Sequence, residues 1–337
     1  MPTSRVGPAA RPAPSRYNRD TEQRRDRPTF MLKYTLRRLL LLIPTLFFVA
    51  LITFVLAHAA PGSPFDKNPN RPLPAATIAK LEQHYGVDRP VHEQFALYLS
   101  NVVRFDFGHS LVRDRSVAEI ILQGLPTSAQ LGVQALLLAL AVALPLGVVS
   151  ALRQNSLVDY TSLLISTIGT TIPSFVIAIF FIYLFGVTLH WLPIVGWGTP
   201  KHMILPTTIL ALGTMAALTR YTRASMLEAI RQDYVRTARS KGLREQVVIV
   251  THVMKNAMIP VATILGPTTA GLITGSFIIE TLFNVPGIGR EFIISITRRD
   301  YPLIMGVTLL YAFFIVVANL TVDLVYGVLD PRIKVAA

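Results

Sequence analysis

Long apolar runs separated by polar stretches set the pattern of this chain. A bilayer-spanning helix needs about 20 apolar residues, and six runs reach that length. They cover about 39–60, 131–152, 160–189, 204–222, 258–279 and 303–325. Arg37 and Arg38 precede the first run, and Pro173 falls inside the long third one. An even number of spans places both termini on one side.

Residues 1–30 are rich in Arg and Pro and have no apolar period, so they read as a disordered tail. The stretch from Met31 to Arg38 looks like a natural start. Ala57-His58-Ala59 resembles a cleavage site, but the run before it is too long for a signal-peptide core, so an uncleaved span at 31–60 is expected. Residues 61–126 form a polar insert with helix signals of its own. A run at 75–85 stops at Gly86. Pro90 opens a run whose Phe95, Tyr98, Leu99, Val102 and Val103 share a face. Ser116 and Glu119 have the spacing of a capping box. The five later spans make a core over 127–330, followed by a short tail at 331–337.

Composition changes the picture in one way. The net charge is +13, which suggests nucleic acid until the charges are placed. Of 32 basic and 19 acidic residues, about 21 and 9 fall on the side of the termini. The excess is therefore a positive-inside signal, which puts both termini and the loop at 223–257 in the cytoplasm and argues against nucleic-acid binding. Apolar residues are 52% and charged residues 15% of the chain. A soluble protein would carry about a quarter charged residues. There is no cysteine, which excludes disulfides and thiolate metal sites.

Catalytic signatures are missing. No P-loop or nucleophile elbow occurs, and Ala96 stands where a zincin motif begun by His92 and Glu93 needs its second His. His58 and His190 lie near span ends and read as hydrogen-bonded interfacial residues. Asp159, Glu280 and Asp323 lie at or near span ends, which counts against a proton relay. Trp191 and Trp197 suit an aromatic belt. Gly271 and Gly275 allow close helix approach.

The loop at 223–257 is unusual. Counting Arg220, it carries eight Lys or Arg, and it has helical periodicity. Met226, Leu227, Ile230, Tyr234 and Ala238 recur at three- and four-residue spacing, predicting an amphipathic helix over 225–241 that Gly242 ends. A second helix is expected over 244–256. Two helices joined at a glycine make a corner, and the small Thr237 and Ala238 would let a partner's groove close around it. The other reading is a hairpin lying on anionic lipid.

Asp233-Tyr234-Val-Arg236-Thr237-Ala238-Arg239-Ser-Lys241-Gly242, with Asn256 to Pro260, resembles the EAA loop of ABC importer permeases, in the peptide and nickel subgroup. Arg236, Thr237 and Ala238 stand in the Glu-Ala-Ala places. Further matching segments are Pro61 to Pro64, Phe107 to Ser110, Ile172 to Phe175, Glu280 to Gly289 and Leu329 to Ile333. The resemblance implies an all-α integral membrane protein with six transmembrane helices, a MetI-like ABC permease bundle with an external helical insert after the first span. It implies a multi-pass subunit of the bacterial inner membrane that has no catalytic residue and no cofactor of its own. The implied partners are a second homologous permease, two ABC ATPase subunits that bind ATP and Mg, an extracytoplasmic substrate-binding protein and the lipid bilayer. The corner would seat in an ATPase cleft and couple ATP-driven closure to the spans. Peptides are the expected cargo, with nickel chelates, glutathione or oligosaccharides as alternatives. A secondary transporter or a membrane scaffold would instead work without ATPases. Thr170, Thr171, Pro173, Ser174, Thr268, Thr269 and Thr274 could line the path; alternatively, these hydroxyls only satisfy kinked backbone.

Overall fold

In a computed structural model, residues 27–59 and 89–329 are described, with side chains over 36–59 and 89–321. The expectations for 1–26, for the helix at 75–85 and for 331–337 lie outside the described residues.

The described residues are helical. Helix α1 is Arg27–Ala59, so it starts inside the stretch expected to be tail. Helix α2 is Val91–Val103 and α3 is Val117–Leu152. Helix α4 is Leu157–Thr171, and α5, Ser174–Phe181, continues into a π-helical turn, Ile182–Thr188. Helix α6 is Pro200–Ile230 and α7 is Asp233–Ser240. Helix α8, Glu245–Val247, runs through a π segment, Val248–Met254, into α9, Lys255–Ile273. Helices α10, Phe277–Leu282, α11, Ile288–Arg298, and α12, Tyr301–Leu329, complete the described chain. Five stretches are long and apolar enough to cross a membrane, and the bent pair α4–α5 brings the number to six.

Helix α3 is the central post. Its buried positions are mostly small: Gly132, Ala135, Ala139, Ala143, Gly147, Ser150 and Ala151. Small residues at helical spacing let neighbouring backbones approach. A side chain at Gly132 would collide with the backbone of Leu272 and Ile273. At Gly147 it would come within 2.6 Å of Thr222 Cβ and 2.8 Å of the Thr219 carbonyl oxygen. Gly271, the expected contact, faces open space. The tight crossing lies on the α3 side, because Leu272, one residue on, points into α3.

Two further expectations are corrected, while the third span breaks at Pro173 as a proline inside it suggests. Ile172 is extended before Pro173, as the residue before a proline prefers, and the two halves meet at 103°. The fifth span breaks at Gly275, whose φ of +91° lies where side chains are costly. The capping box does not form: the Ser116 side chain makes no cap bond, and the Glu119 side chain accepts from Arg115 at 2.5 Å instead of reaching back.

At the end of the bundle away from the 223–257 loop, Asp300 accepts from the Ser110 hydroxyl and the Leu111 N–H. Arg113 grips both oxygens of Glu291 at 2.8 and 2.7 Å. Glu280 is fully buried, with its carboxylate against Gly275, Gly287 and Gly289. It accepts from the Arg290 N–H at 3.1 Å. The α2 helix leans on α1 through Phe54, Phe95 and Tyr98. His58 bonds the Phe54 carbonyl and Gln94, each at 2.9 Å, as an interfacial histidine should.

Candidate functional site: the corner at 231–247

The amphipathic helix expected over 225–241 is two helices. Helix α6 carries the membrane span out to Ile230, Gln232 turns extended, and α7 restarts at Asp233. Asp233 supplies negative charge to the first turn, where the helix dipole favours it. Thr237 and Ser240 bond back to the carbonyls of Asp233 and Arg236, each at 3.0 Å.

Two side chains fix α7 to the bundle. Val235 is fully buried and Ala238 is 5% exposed. They pack with Ala151, Met226, Ala229, Val248, Val253 and Ala257, which come from the ends of α3 and α6 and from the second arm of the corner. Burying one valine of this kind stabilises by roughly 1.5–3 kcal/mol. Ala238 therefore faces the bundle. Its smallness lets α7 sit close to the spans. Asp233, Tyr234, Arg236, Thr237, Arg239, Ser240 and Lys241 are all exposed. The outer face is thus polar and mainly basic.

The turn itself is closed by a clasp. Arg239 donates from Nε and Nη2 to Glu245 at 3.1 and 2.6 Å, bridging Gly242. The hydrogen bonds to Glu245 hold the Arg239 guanidinium above its ordinary pKa. Both partners are about half exposed, so the clasp contributes no more than about 0.5 kcal/mol. Gly242 has a φ of +76°, and nothing lies within 4 Å of where a Cβ would point. The second arm is not a separate helix ending at Asn256. It runs unbroken through α8 and the π segment into α9. The corner is thus joined directly to two membrane helices, α6 and α9.

One element of this end had no signal in the sequence. Asp159 is 1% exposed and accepts from Arg223 Nε at 2.6 Å and Nη2 at 2.8 Å. Ser150 Oγ at 2.5 Å and the Asn155 N–H at 3.0 Å complete its shell. The pair locks the start of α4 onto α6, two turns before the corner. The partners are 64 residues apart, so no local pattern announces it.

The expected path residues do not join the corner. Thr170, Thr171, Pro173 and Ser174 are exposed at the α4–α5 bend. Thr268 and Thr269 are half-buried on α9, and Thr274 is buried at its end. The hydroxyls of Thr170, Thr268, Thr269 and Thr274 donate to carbonyls four residues back, at 3.0, 2.7, 2.6 and 2.9 Å. Among the described residues there is no cluster of metal-ligating side chains.

Residues 143–335 match the family described as "Binding-protein-dependent transport system inner membrane component", and 31–132 match its N-terminal counterpart. The chain belongs to this family. The permease is 42% identical over 305 residues to "Dipeptide transport system permease protein DppB" of Bacillus subtilis, covering 90% of this chain and 98% of that protein. It is 41% identical over 307 residues to "Oligopeptide transport system permease protein OppB" of Escherichia coli K12, covering 90% and 100%. "Dipeptide transport system permease protein DppB" of Lactococcus lactis is 39% identical over 305 residues, covering 90% and 100%. The permease is a multi-pass inner-membrane transport component and not an enzyme.

Proposed function

We propose that this permease imports peptides, as one of two paired membrane subunits driven by two ABC ATPases and supplied by an extracytoplasmic binding protein. The names of relatives near 40% identical over nearly their whole length support the cargo. The construction of the corner supports the drive. Val235 and Ala238 tie α7 to the bundle, and the free face carries Tyr234, Arg236, Thr237, Arg239 and Lys241. ATPase closure would push this face, and α6 and α9 would carry the movement into the membrane. A hairpin meant only for lipid would present an apolar outer face; here Val235 and Ala238 point inward, and the outer face is mainly basic, with Tyr234, Leu243 and Val247 the exposed apolar side chains of the corner.

The reading places both termini and 223–257 in the cytoplasm, with 61–126 and 281–301 outside. Pro173, with exposed Thr170, Thr171 and Ser174, and the α9 threonines at 268, 269 and 274 are proposed path residues. A back-bonded hydroxyl keeps lone pairs for a passing polar group.

The test is Gly242→Asp in the reconstituted complex. The substitution meets no neighbour, but a side chain at this φ costs about 1 kcal/mol. Folding should survive while the added charge disturbs docking. Peptide uptake should fall with ATPase activity no longer coupled to it. Normal uptake with normal ATPase retention on purification would remove the corner as the coupling element.

A further inference from the structure

The exposed faces of the spans are of two kinds. Helix α1 exposes Leu40, Ile43, Phe48, Ile52 and Leu56, and α4 exposes Leu157, Tyr160, Leu164 and Ile165. Large apolar residues of this sort suit lipid chains. Helices α6 and α9 differ: α6 exposes only Ile204 and Tyr221 of this kind. Helix α9 has no exposed large apolar side chain among the described residues; its exposed positions within the span include Thr263, Pro267 and Gly271. On α6, Gly213, Ala217, Arg220 and Ala224 follow one another at four-, three- and four-residue spacing and so share a face. Ala217 is half-buried and the other three are exposed. Gly213 and Gly271 both look into open space.

Arg220 stands out on this face. It lies about 4.5 Å further into the span than Arg223. Arg223 is spent on Asp159, whereas Arg220 makes no hydrogen bond or ion pair among the described residues. A charged side chain within a span normally faces a water-filled cavity or the interior of an assembly. The stripe of Gly213, Ala217 and Ala224 around it is small rather than bulky, with Tyr221 at its side, and fits a polar passage. A guanidinium there offers a planar, permanently charged fork to a carboxylate. No cation among the proposed path threonines could do this.

We propose that Arg220 is a specificity-determining residue that binds the C-terminal carboxylate of a peptide in transit, near the end of the path that adjoins the corner. This rests on the peptide reading above. It requires no covalent step. The next exposed carboxylate along this face, Glu228, lies about 12 Å from Arg220 toward the corner.

The experiment uses the full transporter in proteoliposomes with trialanine and trialanine amide. The readout is the ratio of variant to wild-type uptake for each peptide, which cancels the binding protein's own preference. Arg220→Gln should lower trialanine uptake about ten- to a hundredfold, the range of a charge-assisted hydrogen bond. Amide uptake should change little, and Arg220→Lys should recover most of the loss. In parallel, an Ala224→Cys reporter is labelled with a maleimide in this cysteine-free chain. Millimolar trialanine should slow its labelling, the amide should not, and Arg220→Gln should abolish the protection. This arm decides the matter where the binding protein does not deliver the amide. Equal loss for both peptides, with no protection, would show that Arg220 serves a carboxylate of the second permease. Unchanged trialanine uptake in Arg220→Gln would also overturn the assignment while leaving peptide import standing. A wild-type complex that takes up neither peptide would remove the peptide reading and this one with it.

Discussion

Asp159→Asn is the most informative single change outside the corner. The carboxylate receives two bonds from Arg223, one from Ser150 and one from the Asn155 backbone, and it is 1% exposed. An amide of the same shape keeps one acceptor oxygen. Its NH2 must point at a donor, and Arg223 loses its counter-charge. Removing one partner of a buried pair costs about 3–5 kcal/mol. Arg223 remains 18% exposed and can recruit some water, so a loss of about 2–4 kcal/mol is expected. Asp159→Leu combined with Arg223→Met removes both charges at once; the Ser150 hydroxyl and the Asn155 N–H lose their acceptor, so the double should still cost about 1–3 kcal/mol, less than the two single changes added together. The assay is thermal unfolding of the purified complex, followed by tryptophan fluorescence and by size-exclusion of heated samples, for both singles and the double. Uptake is measured on the same preparations. Strictly additive effects, with the double the least stable of the three, would refute the claim that the two side chains act as one buried unit.

Two further outcomes follow from the geometry. Gly132→Val should prevent normal packing of α3 on α9, because the new side chain meets the backbone of Leu272 and Ile273, which has no rotamer to yield; loss of monodisperse protein on purification checks this, and a well-behaved variant would sink the assigned crossing. Single cysteines introduced at Ser240 and at Asp114 should label from opposite sides, the former only after permeabilisation and the latter in intact cells, and the reverse pattern would overturn the proposed topology.

Much of this protein is set locally. Six runs of about 20 apolar residues fix the number of spans, because bilayer thickness and helix rise admit few alternatives. The corner was legible for a similar reason. Gly242 ends a helix at positive φ, and the basic positions around it follow from charge and spacing alone. The expected 225–241 helix still failed at Gln232, because the anchor that bends the chain there is the long-range packing of Val235 and Ala238 on Met226 and Val253. Periodicity put Ala238 on the apolar stripe with Met226, but did not give Tyr234's exposure on that same stripe. Which way a side chain faces depends on what lies across from it. The Asp159–Arg223 pair, the crossing at Gly132 and the glycine cage around Glu280 all join residues distant in sequence. Their partners are chosen by how the helices cross, so only the tertiary structure decides them. The same holds for Arg220. The sequence shows a cation at the end of an apolar run, and only packing separates it from Arg223 three residues away, one neutralised and the other left facing open space.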